Sequence, residues 1–222
     1  MSYDLTTTEE NYLKALVHLS VEKGIKDAGT NELAAFLNVK PATATDMLKK
    51  LRDKKYVDYE KYGRITLTSI GKKIAIEVIR KHRLWETFLC EKLNFTWDEV
   101  HEVAEQLEHI QSKKLIDQLD KFLGFPTVDP HGEAIPNAKG EMKIIKKQPL
   151  TEASINQLYT VIAVKEDTPE FLQYADKIGC KIGTKLKVVS HLSFDDSIEI
   201  LIQKESKIIS RKFAESVFVE KK

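Results

Sequence analysis

Two histidines and five carboxylates crowd the stretch DEVHEVAEQLEHI, Asp98 to Ile110, and no lysine or arginine interrupts them. At about 100° per residue a helix sets Val100, Val103, Leu107 and Ile110 on one side and His101, Glu105, Glu108 and His109 on the other. Glu105 to Glu108 is an i,i+3 step and Glu105 to His109 an i,i+4 step, so three polar heads can meet at one point; His101 to Glu105 repeats the step a turn earlier. Carboxylate oxygens and imidazole nitrogens at that spacing suit a divalent cation. The same pattern also suits a solvated face opposite a core stripe, so neighbouring elements must decide. His82 and Glu86 form a second i,i+4 pair, readable as ligands or as an ordinary helix-surface contact. His131, alone in a turn-rich stretch, reads as an exposed loop residue rather than a ligand.

The elements that must position these residues begin with a helix from Thr6 to Ser20, where Thr7 and Glu10 have capping-box spacing and Leu13, Leu16, Val17 and Ser20 continue the stripe. After the polar break EKGIKDAGT comes a short, N-capped amphipathic segment, Thr30 to Leu37. A turn at Asn38 and Val39 leads into KPATATDMLKKLRDKK, where Pro41 suits a first helical turn. Two such helices across a short turn match a helix-turn-helix. Ala44, Met47, Leu48 and Leu51 make the buried stripe of the second helix. Ala42, Thr45, Asp46, Lys49 and Asp53 then point outward, with Thr43 and Lys50 at the margin. Small and hydroxyl side chains permit close approach to base edges, and lysines further along meet phosphate. Strands at Val57 to Glu60 and Arg64 to Thr68, around a turn at Tyr62 and Gly63, give a wing with Lys61 and Arg64 at its tip.

From Ser69 to Leu93 a long helix, broken near Lys81, carries Ile74, Val78, Ile79, Trp85, Phe88 and Leu89. That is more apolar surface than a peripheral helix needs, and Trp85, Phe88 and Leu89 read as a dimer interface. Past Ile110 the helical pattern runs on to Gly124 and Pro126, and VDPHGEAIPNAKGEMK is the best candidate linker. Beyond Gln148 come short β-rich runs, YTVIAVKE, KLKVVSHL, SIEILIQK and SVFVEK, with one helix in DTPEFLQYADKIG capped by Asp167 or Thr168. Such a segment suggests a small, partly open barrel.

Composition narrows the class. At 222 residues and 42% hydrophobic content the chain can bury a core, and no run approaches the length of a membrane helix. The polar, acidic start is unlike a signal peptide, which leads to a cytoplasmic expectation. Cys90 and Cys180 are far apart, without disulfide or zinc-ribbon spacing. The net charge of +1 conceals segregation. Lys40 to Arg64 holds eight basic against four acidic residues, whereas Asp98 to His109 holds five acids and no base, so one region faces phosphates and another cations. A metallohydrolase is disfavoured, because HEVAE has Glu105 where a zincin needs its second histidine. No small-molecule substrate, membrane partner or enzymatic activity is expected.

The order of elements, with KHRLWETFL followed by HEVAEQLEH and then DPHGEAIP, resembles the diphtheria toxin repressor and manganese transport regulator family of metal-dependent bacterial repressors over nearly the whole chain. The specific signal is E-x-x-E-H preceded by H-x-x-x-E on the previous helix. The resemblance implies an α+β fold: an N-terminal winged helix-turn-helix over 1–73, an all-α metal-binding and dimerisation domain over 74–140, and a C-terminal SH3-like small β-barrel over 148–222, similar to ferrous iron transport protein A. It places a primary metal site on Asn11, Glu105, Glu108 and His109 and a second on His82, Glu86 and His101. From the C-terminal domain, Asp167 and Glu170 are the nearest matches for added ligands, with Glu166 competing. Iron-type relatives have a cysteine where this chain has Glu105 and a methionine where it has Asn11. Manganese-type relatives have carboxylates at both Asn11 and Lys14. Hard oxygen donors with one imidazole favour Mn²⁺, with Fe²⁺ the alternative, and the cation at Lys14 argues against a two-metal cluster. The implied function is a homodimeric repressor in which metal orients two winged helices on double-stranded operator DNA and controls metal-homeostasis genes. A metal-independent winged-helix factor with a solvated acidic dimer surface is the competing expectation.

Overall fold

The first helix, α1 (Thr7–Val17), starts where Thr6 and Glu9 satisfy each other's backbone N–H groups, at 3.3 and 2.9 Å, in a capping box. This lies one residue before the expected Thr7 and Glu10 pair, because Glu10 is engaged elsewhere by His109. A computed structural model describes residues 4–22, 29–59, 64–143 and 145–221. The fold is α+β, and the chain divides into two units, Met1–His82 with Glu105–Gln118 and Pro136–Glu141, and Arg83–Ala104 with Leu119–Ile135 and Met142–Lys222.

In the first unit α1 passes into a π turn, His18–Glu22, and the helix-turn-helix follows as α2 (Thr30–Phe36) and α3 (Pro41–Asp53). Gly29, not a side chain, occupies the cap of α2. Asn38 takes the left-handed turn conformation, φ 52°, between the two helices. Pro41 opens α3 as the sequence requires. The wing pairs β1 (Val57–Tyr59) with β2 (Ile65–Leu67), Val57 opposite Leu67 and Tyr59 opposite Ile65. Thr68 then caps α4 (Ser69–Leu93) by accepting from Gly71 N at 3.1 Å. Glycine is required there, since a Cβ at Gly71 meets the Tyr56 carbonyl at 1.9 Å. The helix runs unbroken through Lys81. Leu13, Leu16, Leu33, Ala44, Leu48, Leu51 and Ile74 form one core.

The central helices divide the predicted continuous run. The α5 helix (Val100–Leu107) stops before Glu108, and α6 (Lys113–Phe122) begins after Ser112, whose hydroxyl accepts from Leu115 N at 3.3 Å. The buried line of α5 is Val100 and Ala104, and it continues to Glu108, which is 0% exposed. The carboxylate expected on the polar side therefore faces inward, which overturns the solvated-face reading for Glu108.

In the second unit the strands β3 (Gln148–Pro149), β4 (Leu158–Val164), β5 (Lys185–Leu192), β6 (Ser197–Ile202), β7 (Glu205–Ile209) and β8 (Val217–Lys221) form one antiparallel sheet. Its order is β3-β8-β4-β5-β6-β7, the SH3-like arrangement expected, with α7 (Pro169–Lys177) and α8 (Arg211–Ser216) completing its core. The sequence reading missed β3, β7 and α8. β7 is an edge strand with Glu205, Ser206 and Ile208 exposed and Lys207 half-buried, so it lacks the apolar alternation that announces a strand. The expected linker is folded as well. Asp129, His131 and Ile135 are buried, and a Cβ on Gly132 meets the Ile162 carbonyl at 2.0 Å.

Candidate metal centre

In the first unit, three segments distant in sequence bring their polar heads together. Lys14 of α1 donates to Glu105 Oε1 at 2.6 Å and to both Glu108 oxygens at 2.8 and 3.0 Å. His82 Nδ1 donates to Glu108 Oε2 at 2.6 Å and lies 3.5 Å from the Lys14 ammonium. One donor atom each from His82, Glu105 and Glu108 falls within 4.8 Å of the others. Burial works to raise the Glu108 carboxyl, but the His82 hydrogen bond and the Lys14 charge outweigh it and hold it below its ordinary value. Burial works equally to discharge Lys14, and the charges of Glu108 and Glu105 overcome it and keep the ammonium protonated.

His109, in the turn after α5, is oriented from behind. Its Nδ1–H donates to Glu10 Oε2 at 2.5 Å, and Gln111 Nε2 holds the other Glu10 oxygen at 2.7 Å. That bond selects the tautomer whose Nε2 carries the lone pair, and Nε2 stands 3.6 Å from Glu108 Oε1. A carboxylate behind a histidine is the arrangement that orients metal-binding imidazoles. Asn11 Oδ1 is buried with no hydrogen-bond partner among the described residues. An orphaned buried acceptor on the same helix as Glu10 and Lys14 fits a cation better than a purely structural cluster. Glu10 and Gln111 were missed by sequence reasoning. The available signal was only the paired acids Glu9 and Glu10 in the first turn, which look like ordinary dipole complements.

Of the residues expected as a second set, His82 belongs to the first unit and Glu86 and His101 to the second. His82 spends Nδ1 on Glu108 in the first unit. In the second unit His101 Nδ1 lies 3.4 Å from Glu86 Oε1 and 4.0 Å from Asp167 Oδ2. Glu170 is exposed on the first turn of α7, and no described group of metal donors includes it or Glu166. His131 departs most from expectation: it is 5% exposed, and its Nδ1 is 3.8 Å from Glu86 Oε2.

On α3, Ala42, Thr43, Asp46, Lys49 and Lys50 are exposed, and Lys49 pairs with Asp46 at 2.9 Å. Thr45 is half-buried, and its hydroxyl donates to the Pro41 carbonyl at 2.9 Å, so it offers its methyl more readily than its hydroxyl. Arg64 is exposed; Lys61 lies outside the described residues. Trp85 and Leu89 are buried within the protomer. Phe88 is half-buried and stacks edge-on against Phe122, which is 65% exposed. No described helix is long and apolar enough to cross a membrane.

Three family models match in succession: the iron dependent repressor N-terminal DNA binding domain over residues 4–65, the iron dependent repressor metal binding and dimerisation domain over 68–137, and the FeoA domain over 148–221. An uncharacterised HTH-type transcriptional regulator of Methanocaldococcus jannaschii is 37% identical over 114 residues, spanning 51% of this chain and 90% of that protein. The HTH-type transcriptional regulator MntR of Oceanobacillus iheyensis is 33% identical over 120 residues, 54% of this chain and 80% of its own. A solved structure described as a manganese-dependent transcriptional repressor in complex with manganese superposes with a TM-score of 0.85 at 32% identity, covering 96% of this chain and 100% of that one.

Proposed function

Because the chain belongs to the diphtheria toxin repressor and manganese transport regulator family of metal-dependent transcriptional repressors, we propose that Asn11, Glu105, Glu108 and His109 hold a divalent cation that controls operator binding. Mn²⁺ is favoured over Fe²⁺, because the donors are carboxylate, amide and imidazole with no sulfur among them. The observation that carries the reading is His109, whose Nδ1–H is fixed by Glu10 so that its Nε2 lone pair turns toward the Glu108 carboxylate. A bound divalent ion supplies two positive charges and directional bonds to donors from α1 and from the turn after α5.

The chain's own residues do the rest. Glu105 and Glu108 repel one another unless a positive charge lies between them, and the Lys14 ammonium provides one. Asn11 and Glu10 stand on the helix that packs against the helix-turn-helix, so closing the cluster restrains the reading head. In a homodimer, with the Phe88 and Phe122 face as its contact, that restraint sets the spacing of two α3 helices for successive major grooves. In this reading Ala42, Thr43, Thr45 and Asp46 approach bases, Lys49, Lys50 and Arg64 meet phosphates, and the sequence adds Lys61 to the basic set. Glu86 and His101, with Asp167 nearest, form a second cation position. The protein is a cytoplasmic, non-enzymatic regulator of metal-homeostasis genes.

Operator affinity measured by fluorescence anisotropy with and without Mn²⁺ tests this. A coupling of about 1–3 kcal/mol corresponds to a gain of roughly 5- to 150-fold, and equal affinities remove the metal from the mechanism. A second reading, a metal-independent winged-helix factor, has one observation in its favour: Lys14 already neutralises part of the cluster. Under it, Glu105→Gln and His109→Ala leave operator binding unchanged.

A further inference from the structure

Glu166 and Glu170 belong to no described group of metal donors; they line a cleft of about 250 Å³ that the second unit forms with residues of α7 and α8. Its floor is aromatic. Phe213, 4% exposed, stacks on Phe171 with ring centroids 5.1 Å apart, and Tyr174, 41% exposed, stands edge-on to Phe213 at 5.2 Å. Leu172 and Ala175 of α7 and Ala214 of α8 are buried in the domain core, so the helices that carry these rings are anchored from below. Lys212 lines the cleft from α8. Glu166, Glu170 and Lys212 form no side-chain hydrogen bond or ion pair among the described residues, although opposite charges share the cleft. Thr168, also in the lining, occupies the cap of α7, where a hydroxyl ordinarily accepts a backbone N–H, yet its side chain makes no such bond. The polar groups are thus left for something other than the chain itself.

We propose that this cleft binds a free basic α-amino acid, arginine above all. Two carboxylates and one ammonium around an aromatic floor are the complement of a molecule with two cationic groups and one carboxylate. A guanidinium stacks on an aromatic face and meets a carboxylate through paired N–H donors, the α-ammonium takes the second carboxylate, and the α-carboxylate takes Lys212. One net negative charge on the cleft meets one net positive charge on the ligand. A neutral apolar ligand leaves all three charges unanswered, and a divalent ion meets Lys212 as a like charge. The site shares no residue with the centre at Glu105, Glu108 and His109 and does not rest on it.

Full-length protein is titrated with L-arginine and followed by ¹H–¹⁵N NMR and calorimetry. Saturable shifts are expected at 166–174 and 210–216, and Glu170→Gln and Lys212→Gln each weaken binding about tenfold. Both positions are exposed, so both variants fold. Agmatine, which lacks the α-carboxylate, is the second probe: Glu170→Gln weakens its binding and Lys212→Gln does not. Absence of a saturable shift with L-arginine overturns the site, as do shifts that guanidinium chloride reproduces at the same concentration. Equal weakening of arginine and agmatine by Lys212→Gln overturns it too. Tighter binding of the peptide Gly-Arg-Gly than of free arginine does the same, since the cleft is then a surface for a protein partner. None of these readouts involves metal or DNA, so Mn²⁺-independent operator binding defeats the proposed function and leaves them untouched.

Discussion

His109 in the first unit and His131 in the second each have one ring nitrogen tied off and the other turned toward carboxylates, yet the ties differ. A carboxylate, Glu10, backs His109, and a backbone carbonyl, that of Trp97, backs His131. A carboxylate raises the basicity of the imidazole more than a carbonyl does. The neighbouring positive charges differ too. Lys14 is a part-exposed ammonium on a flexible four-carbon stem. Arg83 is a buried guanidinium held in place by Glu133 and the Ala134 carbonyl. Burial shifts the balance further: it pushes the Asp129 carboxyl above its ordinary range, against the pull of Arg83, whereas Glu108 is held below it. A cluster of donors can exchange its counter-charge where that charge is mobile, and keeps it where the charge is held on several sides.

Glu108→Ala is the largest way to break this comparison. It leaves Lys14 and His82 short of an acceptor, a cost of about 3 kcal/mol by urea unfolding of metal-free protein, and it abolishes the Mn²⁺ enhancement of operator affinity. Arg83→Met tests the other side. Glu133 and the Ala134 carbonyl lose their donors, for about 2 kcal/mol of stability, while the Mn²⁺ enhancement persists. Lys14→Met removes the competing ammonium, and isothermal titration should show Mn²⁺ bound about tenfold more tightly, a difference of about 1.4 kcal/mol. Unchanged affinity would mean that Lys14 does not compete. Thr6→Ala perturbs α1 without touching the cluster, so it costs about 1 kcal/mol in thermal unfolding and leaves Mn²⁺ affinity alone.

The smallest effect is pH-dependent. Burial works to raise Glu9, but the Lys54 and Thr6 hydrogen bonds prevail and hold its carboxyl below the ordinary 4.5. A depressed carboxylate contributes stability that is fully present above 4.5 and lost as pH falls through its lower folded value. Glu9→Gln is therefore less stable than wild type near pH 7, and the gap closes in acid below 4.5. Thermal unfolding from about pH 3 to 7 checks it.

Much of the fold is legible in the sequence because its signals are local. Pro41 announces α3, the alternation of YTVIAV announces β4, and the stripe of Ala44, Leu48 and Leu51 names its own core. Two local readings failed for physical reasons. The run after Ile110 keeps helical periodicity, but the chain turns at Glu108 and His109 so that both can meet partners on α1. The DPHGEAIP stretch has the composition of a loose connection, but Asp129 holds two backbone N–H groups and buries His131 beneath Trp97.

The chain alone determined the donor types and their local spacing: Glu105, Glu108 and His109 within about one turn, His82 and Glu86 within another, and no sulfur among them. Only the tertiary structure decided which of them meet. Lys14 reaches Glu105 across 91 positions, Glu10 reaches His109 across 99, and His131 reaches Trp97 across 34. Periodicity reports neighbours three or four residues apart on one helix, and it carries no information about which buried charge a distant segment must neutralise. That choice belongs to the packed core, where a carboxylate without a partner costs more than the bend that brings one to it.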